Sequence, residues 1–131
     1  MRYLLDVNVL LALAHTGHTL HTKAIAWYAS IAKSATGFHT CSITELAFVR
    51  VSVITGLQPD VESAKHAFDV LKSSSKVRFE LISDDLSVSQ LPSFVKKPQS
   101  ITDGHLSELA KKNSLRLVTL DRGIPNSVYI G

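Results

Sequence analysis

The sequence predicts an α/β fold whose central sheet is mostly parallel and covered by helices on both faces. Short apolar segments with strand character alternate with longer segments of helical periodicity along the whole chain, and this alternation is typical of parallel sheets. No internal repeat, low-complexity tract or linker interrupts the 131 residues. A chain of this length buries roughly 68% of its unfolded surface in one core, so we predict a single domain of residues 1–131.

Hydrophobic spacing and turn residues assign the elements of the first half of the chain. The segment 2–5 is short, apolar and followed by an acid, which predicts a strand. Residues 7–14 are apolar throughout and rich in Leu and Ala, which favours a buried helix. The elements that follow are a helix at 19–35 with Ile25, Tyr28, Ala29 and Ala32 at helical spacing, a strand at 37–41, and a helix at 42–55 stopped by Gly56.

The second half of the chain continues the alternation. Pro59 precedes a helix at 60–73, whose apolar residues share one face. A helix at 102–113 ends on two lysines, where positive charge suits the helix dipole. Residues 83–102, with two prolines, form the longest irregular segment. The strands of this half are predicted at 79–82, 115–120 and 127–130.

Composition and charge exclude several classes of protein. Hydrophobic residues make up 45% and charged residues 19% of the chain, which is ordinary for a globular domain and argues against disorder. No apolar run approaches the ~18 residues of a membrane span. Asp6 and Asn8 interrupt the apolar N-terminus, so we predict neither a signal peptide nor a membrane protein. Because Cys41 is the lone cysteine, no internal disulfide forms, and we expect a cytoplasmic protein.

Four acids fall where predicted strands end or the following helices begin: Asp6, Glu45, Asp103 and Asp121. The carboxyl ends of parallel strands share one edge of a sheet, where ligands bind, so we expect these side chains to converge. Each acid also has a purely structural interpretation. Asp6 suits a helix N-cap, and Asp121 suits an Asp-Arg-Gly turn. Capping boxes are matched by Ser42 with Glu45 and by Ser100 with Asp103.

Converging carboxylates repel one another and destabilise a fold unless a cation lies between them. Mg²⁺ in particular is held by a few carboxylates, waters and substrate phosphates. Three or four carboxylates without His or Cys therefore predict a Mg²⁺ or Mn²⁺ site that acts on phosphate. His15, His18 and His21 have no cysteine partner for a zinc site, so we expect loop or cap roles for them. We assign no role as a base to His105.

The residues around the four acids resemble the sequence motifs of the PIN-domain family. Four motifs occur in the family's order, from nearly the first residue to nearly the last, so the resemblance covers the whole chain. They lie at 4–10 (LLDVNVL), 40–46 (TCSITEL, followed by FVRV at 48–51), 102–106 (TDGHL) and 117–123 (LVTLDRG).

Within that family the chain most resembles the VapC-type toxins of bacterial type II toxin–antitoxin systems. The resemblance implies a three-layer α/β/α sandwich and an endoribonuclease that depends on Mg²⁺ or Mn²⁺. It also implies a cognate antitoxin, which inserts a segment near the active site, and a homodimer.

The resemblance assigns roles to individual residues. The principal metal ligands correspond to Asp6, Glu45 and Asp103, and the more variable fourth acid corresponds to Asp121. Supporting polar positions, which orient ligands or water, correspond to Asn8, Thr44 and Thr119. Gly104 stands where we expect alanine, a change that leaves the neighbouring carboxylate in place.

The predicted reaction is hydrolysis of an RNA phosphodiester by water activated on the metal. Setting the four acids aside leaves 7 acidic against 14 basic residues, so the surface around the site is positive. The candidate phosphate contacts are Arg50, Lys96, Lys97 and Arg122. Solubility demands the same kinds of residue, and an alternative interpretation pairs Arg50 with an acid.

Two other classes of protein remain open from the sequence. In a non-catalytic RNA-binding or protein-binding module, the acids serve only as helix caps. In a phosphotransferase, Asp6 is a nucleophile on the same kind of sheet. Those enzymes need a second acid two residues further on, where this chain has Asn8, and that departure counts against them.

Overall fold

Five strands form one sheet: β1 (Arg2–Leu5), β2 (Gly37–Thr40), β3 (Phe79–Leu81), β4 (Arg116–Thr119) and β5 (Val128–Tyr129). The computed structural model describes all of residues 1–131, and its strands lie in the order β3-β2-β1-β4-β5. Every neighbouring pair is parallel. The predicted parallel sheet is therefore confirmed, and the carboxyl ends of β1, β2 and β4 lie next to one another at one edge.

Five helices cover the sheet: α1 (Val7–Ala14), α2 (His21–Ile31), α3 (Ser42–Ile54), α4 (Val61–Ser74) and α5 (Ile101–Lys112). Adjacent residues of one strand point to opposite faces, and both faces of β1 are buried. Leu5 belongs to a core cluster with residues of α1, α2, α3 and α4, whereas Leu4 packs with Leu106 and Leu109 of α5. The sheet is thus the middle layer of the predicted α/β/α sandwich.

Sequence and structure differ mainly at the helix ends. The second helix begins at His21 and ends at Ile31 rather than spanning 19–35. Both capping-box predictions were wrong. Cys41 is the extended residue before α3, and its N–H donates to Thr44 Oγ1 at 3.0 Å, so Thr44 takes the place predicted for Glu45. Ser100 precedes α5 in a helical conformation and makes no side-chain cap bond.

The three histidines between α1 and α2 bind the backbone, as expected for loop and cap roles. His15 Nδ1 lies 3.0 Å from the Leu11 carbonyl oxygen, and His21 Nδ1 lies 2.7 Å from that of Ala12. The N–H of Leu20 donates to His18 Nδ1 at 3.0 Å. These contacts fix the turn that joins the two helices. Across the whole chain, none of the helices has the length and apolar character of a membrane span.

Candidate active site

Three of the four predicted acids meet at the carboxyl edge of the sheet. Asp6 follows β1, Asp121 lies two residues beyond β4, and Asp103 is in the first turn of α5. Strands β1 and β4 are parallel neighbours, so their ends bring Asp6 and Asp121 together. One carboxylate oxygen from each of the three residues lies within 4.8 Å of the other two. We call these three residues the acidic cluster.

Hydrogen bonds hold Asp6 rigidly at this edge. Its Oδ1 accepts from the N–H of Val7 at 2.7 Å, so Asp6 is the predicted N-cap of α1. Its Oδ2 accepts from the hydroxyl of Thr119 at 2.7 Å. The same hydroxyl oxygen accepts from the N–H of Asp121 at 3.0 Å. Thr119 therefore connects two members of the acidic cluster through its hydroxyl group.

The other two residues that we predicted as supporting residues, Asn8 and Thr44, bond to the backbone. Asn8 Oδ1 accepts from the N–H of Leu120 at 3.2 Å, which ties the start of α1 to the end of β4. Thr44 is buried and bonds only to Cys41. Asn8 thus fixes the spacing between Asp6 and Asp121, whereas Thr44 fixes the start of the helix that carries Glu45.

Burial and mutual repulsion make the acidic cluster unfavourable when its carboxylates are ionised. Asp6 is 6% exposed, and burial raises its pKa to about 6. The hydrogen bonds from Thr119 and Val7 oppose that shift, and the charges of Asp103 and Asp121 add to it. Burial also raises the pKa of Asp103, with a further contribution from Asp121. A bound cation would remove both penalties.

Glu45, the fourth predicted acid, is not part of the acidic cluster. Its Oε2 accepts a hydrogen bond of 2.5 Å from the hydroxyl of Thr40, the last residue of β2. Since β2 lies beside β1, Glu45 still occupies the same edge of the sheet. Thr40 was missed in the sequence, although it ends its strand as Thr119 ends β4, and each threonine donates to a carboxylate at this edge.

Two contacts between α5 and the chain after β3 were also missed in the sequence. His105, two residues after Asp103, has its Nε2 at 2.5 Å from Asp84 Oδ2, and both side chains are nearly buried. Lys112 of the same helix contacts Asp85. These contacts hold the chain after β3 against α5. No sequence signal joins the members of either pair, because 21 and 27 residues separate them.

The candidate phosphate-binding residues lie on the surface. Arg50, Lys96, Lys97 and Arg122 are all exposed, and none of them forms an ion pair. The guanidinium of Arg122 lies 4.9 Å from the centre of the Tyr129 ring. The alternative pairing of Arg50 with an acid is therefore wrong, and all four cations are free to meet an anionic ligand.

The donor set of the acidic cluster suits a hard divalent cation. Its ligand atoms are all carboxylate oxygens, which Mg²⁺ and Mn²⁺ prefer over nitrogen or sulfur. The side chains of Asp103 and Asp121 accept no hydrogen bond from the protein, so their oxygens are available as ligands. These observations define a class of protein with a carboxylate site for a divalent cation at the edge of a parallel α/β sheet.

Comparison with known proteins identifies a family with this kind of fold and site. The chain belongs to the PIN domain family, whose match spans residues 3–127. It is 36% identical to Ribonuclease VapC38 of Mycobacterium tuberculosis, over 92% of this chain and 86% of that protein. It is also 36% identical to Ribonuclease VapC44 of the same species, over 95% and 89%.

A solved structure supports the fold independently of sequence. VapBC2 from Rickettsia felis, bound to a DNA fragment from its promoter, superposes with a TM-score of 0.61 at 19% identity. The match covers 98% of this chain and 97% of that one. The family and fold predicted from the four motifs are thus confirmed.

Proposed function

We propose that this chain is a divalent-metal-dependent endoribonuclease, the toxin of a toxin–antitoxin pair, that hydrolyses RNA phosphodiesters. The observation that carries the proposal is the acidic cluster, in which Asp6, Asp103 and Asp121 present carboxylate oxygens within 4.8 Å of one another. The ribonuclease class is supported by relatives that share 36% of their residues over most of the chain.

The acidic cluster would hold Mg²⁺ or Mn²⁺, which in such sites activates water and offsets the charge of the reacting phosphate. Asp6 is fixed by Thr119 and Val7, so it would keep its geometry when substrate arrives. Glu45 uses one oxygen to accept from Thr40 and keeps the other for a ligand or a bridging water. Arg50, Lys96, Lys97 and Arg122 would bind phosphates that flank the cleaved bond.

The surface beside Glu45 supports a protein partner. Leu46, Ile54 and Val61 are 67%, 75% and 54% exposed, and they line an apolar groove between α3 and α4. Exposed apolar patches of this kind mark interaction sites. The antitoxin and the homodimer implied by the family resemblance stay predictions, as does the cytoplasmic location expected from the lone cysteine.

The test is cleavage of total cellular RNA by the purified chain in Mg²⁺, in Mn²⁺ and in chelator. We expect discrete fragments that require metal and disappear in Asp6→Asn. Asp60→Asn is the matched control, because Asp60 also caps a helix, α4, but is exposed and far from the acidic cluster in sequence. Cleavage that persists in chelator or in Asp6→Asn would refute metal-dependent hydrolysis at this site.

The two alternatives give different results in the same experiment. A binding module would retain RNA without cutting it, and its melting temperature would not respond to Mn²⁺. A phosphotransferase would carry a phosphoryl group on Asp6 that mass spectrometry detects. The convergence of three carboxylates disfavours the binding module, since helix caps do not require it. The phosphotransferase is disfavoured by Asn8, which stands where those enzymes need a second acid.

A further inference from the structure

The segment between β3 and the start of α5 packs against α5, on the side of the sheet that this helix covers. We call residues 82–97 the strap. Ile82, Leu86 and Phe94 pack against the core cluster that contains α5. At its first end, the strap is attached to α5 by Asp84, which meets His105, and by Asp85, which meets Lys112.

Gly104 allows a second, closer contact between the strap and α5. A Cβ built on Gly104 would lie 2.2 Å from Val95 Cγ2 and 3.3 Å from Pro92 Cδ. The first distance is about 1.3 Å short of the ~3.5 Å at which carbon atoms make contact. The N–H of Val95 donates to the carbonyl of Pro92 at 3.1 Å, so both residues belong to one tight turn. This turn occupies the space that any other residue at 104 would fill.

The turn has little internal freedom to make room for a Cβ, so it would have to shift as a unit. Pro92 has a fixed φ, and the branched side chain of Val95 has few allowed rotamers. Glycine inside a helix costs about 1 kcal/mol relative to alanine. Gly104 is buried in the first half of α5, so the helix carries that cost where the turn of the strap meets it.

The contact sets the position of two lysines relative to the acidic cluster. Gly104 directly follows Asp103, and Val95 directly precedes Lys96 and Lys97. Lys97 also begins the 3₁₀ turn Pro98–Ser100, which leads into α5. Both lysines are exposed and unpaired. They therefore lie at the same end of α5 as Asp103, where the helix N-terminus adds positive potential.

We propose that Gly104 is a positioning residue for RNA binding: it lets the Pro92–Val95 turn seat against α5, so that Lys96 and Lys97 contact substrate phosphates beside the acidic cluster. This inference rests on the proposed ribonuclease function. It explains why glycine stands where alanine is expected from the family motif, because alanine would push the strap and both lysines outward.

The experiment measures binding of a fluorescein-labelled single-stranded RNA of mixed sequence to Asp6→Asn, which we expect not to cleave it. Each phosphate contact on a single strand contributes about 0.7 to the slope of log affinity against log salt. We expect Lys96→Gln/Lys97→Gln to reduce that slope by about 1.4. Gly104→Ala should reduce it by about 0.7 to 1.4, with no loss of helical circular dichroism.

A compensating variant separates positioning from general damage. Val95→Ala removes the atom that the new Cβ would strike, so Gly104→Ala/Val95→Ala should recover most of the slope, and Val95→Ala alone should keep it. In the cleaving protein, Gly104→Ala should raise KM with little change in kcat, and the Mn²⁺-induced rise in melting temperature should remain.

The outcomes distinguish this inference from the proposed function. If the parent chain cleaves RNA but Gly104→Ala leaves the salt slope of Asp6→Asn unchanged, the positioning role alone would be refuted. Failure of the double variant to recover the slope would refute it too, since the loss would not come from the Val95 contact. A parent chain that neither binds nor cleaves RNA would overturn the ribonuclease, and this inference with it.

Discussion

Replacing Asp6 with asparagine should stabilise the metal-free protein, although it abolishes activity. Asp6 has a pKa of about 6 in the folded chain against an ordinary value of 3.8. The folded state therefore holds the Asp6 proton more tightly than the unfolded state, and the free energy of unfolding falls as pH rises between these values. Above pH 6 the ionised carboxylate costs the folded state about 3 kcal/mol, at about 1.4 kcal/mol per pKa unit. Asparagine carries no charge and avoids this cost.

The loss of one hydrogen bond reduces the gain. Asparagine can still accept from the N–H of Val7, and it caps helices as well as aspartate does. In the variant, the NH2 group of the asparagine would face the hydroxyl of Thr119. In the parent protein that hydroxyl donates to Asp6 Oδ2. Losing that bond costs about 1 kcal/mol, so the net gain is about 2 kcal/mol. For a chain of this size, that gain raises the melting temperature by about 8 °C.

Thermal unfolding in chelator at pH 8 and at pH 3.5 tests this reasoning. The gain should appear at pH 8 and vanish at pH 3.5, which lies below both pKa values, so that Asp6 is mainly protonated in both states. Asp60→Asn is again the control: its hydrogen bond from Ser63 lowers the pKa of Asp60, so the change should be neutral or slightly destabilising. Saturating Mn²⁺ should make the parent melt at a higher temperature than Asp6→Asn, because only the parent is stabilised by the metal. That stabilisation is about 2.7 kcal/mol at a metal concentration of 100 times Kd. An Asp6→Asn protein that melts at or below the parent in chelator would refute the electrostatic argument.

Three further predictions follow from buried polar groups. Burial lowers the pKa of His39, whose ring nitrogens have no hydrogen-bond partner, so the free energy of unfolding should fall as pH drops below 6.5. In urea titrations His39→Leu should make the free energy of unfolding less dependent on pH, and an equally steep dependence would contradict this prediction. Thr119→Val removes the donor to Asp6, so we expect a destabilisation of about 1–3 kcal/mol and loss of RNA cleavage. Full cleavage activity would contradict a role for Thr119 in holding Asp6. His105→Leu leaves the nearly buried Asp84 unpaired, which should lower the free energy of unfolding in urea by about 1–3 kcal/mol. An unchanged unfolding midpoint would show that the pair does not contribute to stability.

The fold was predictable because each parallel strand is buried on both faces. Leu4 and Leu5, like Leu117 and Val118, are adjacent apolar residues that pack into different core clusters. Short continuous apolar runs that alternate with helices are typical of strands inside a parallel sheet. The ends of these strands then located Asp6 and Asp121, because the end of a parallel strand has a fixed place at the sheet edge.

The contacts of side chains were less predictable. The bond between Thr40 and Glu45 depends on the neighbouring strand and on a rotamer, and neither is encoded in a local pattern. The pair formed by Asp84 and His105 spans the irregular strap, whose path over α5 no periodicity specifies. Gly104 was visible as a departure from the family motif, but only the position of Val95 shows what the missing Cβ makes room for.

The hydrogen bonds of the acidic cluster argue against helix capping as its purpose. Capping explains one oxygen of Asp6, which accepts from Val7. It does not explain Asp103, which reaches back to no cap residue, because Ser100 enters α5 in a helical conformation. Nor does it explain Asp121, whose own N–H is bound by Thr119 while its carboxylate points toward the other two. Residues kept only for stability would not be arranged so that Asp103 and Asp121 raise the pKa of Asp6, and Asp121 that of Asp103. That arrangement is favourable only with a cation between the three carboxylates. We therefore expect metal binding to stabilise this fold and to allow the site to bind a phosphate group.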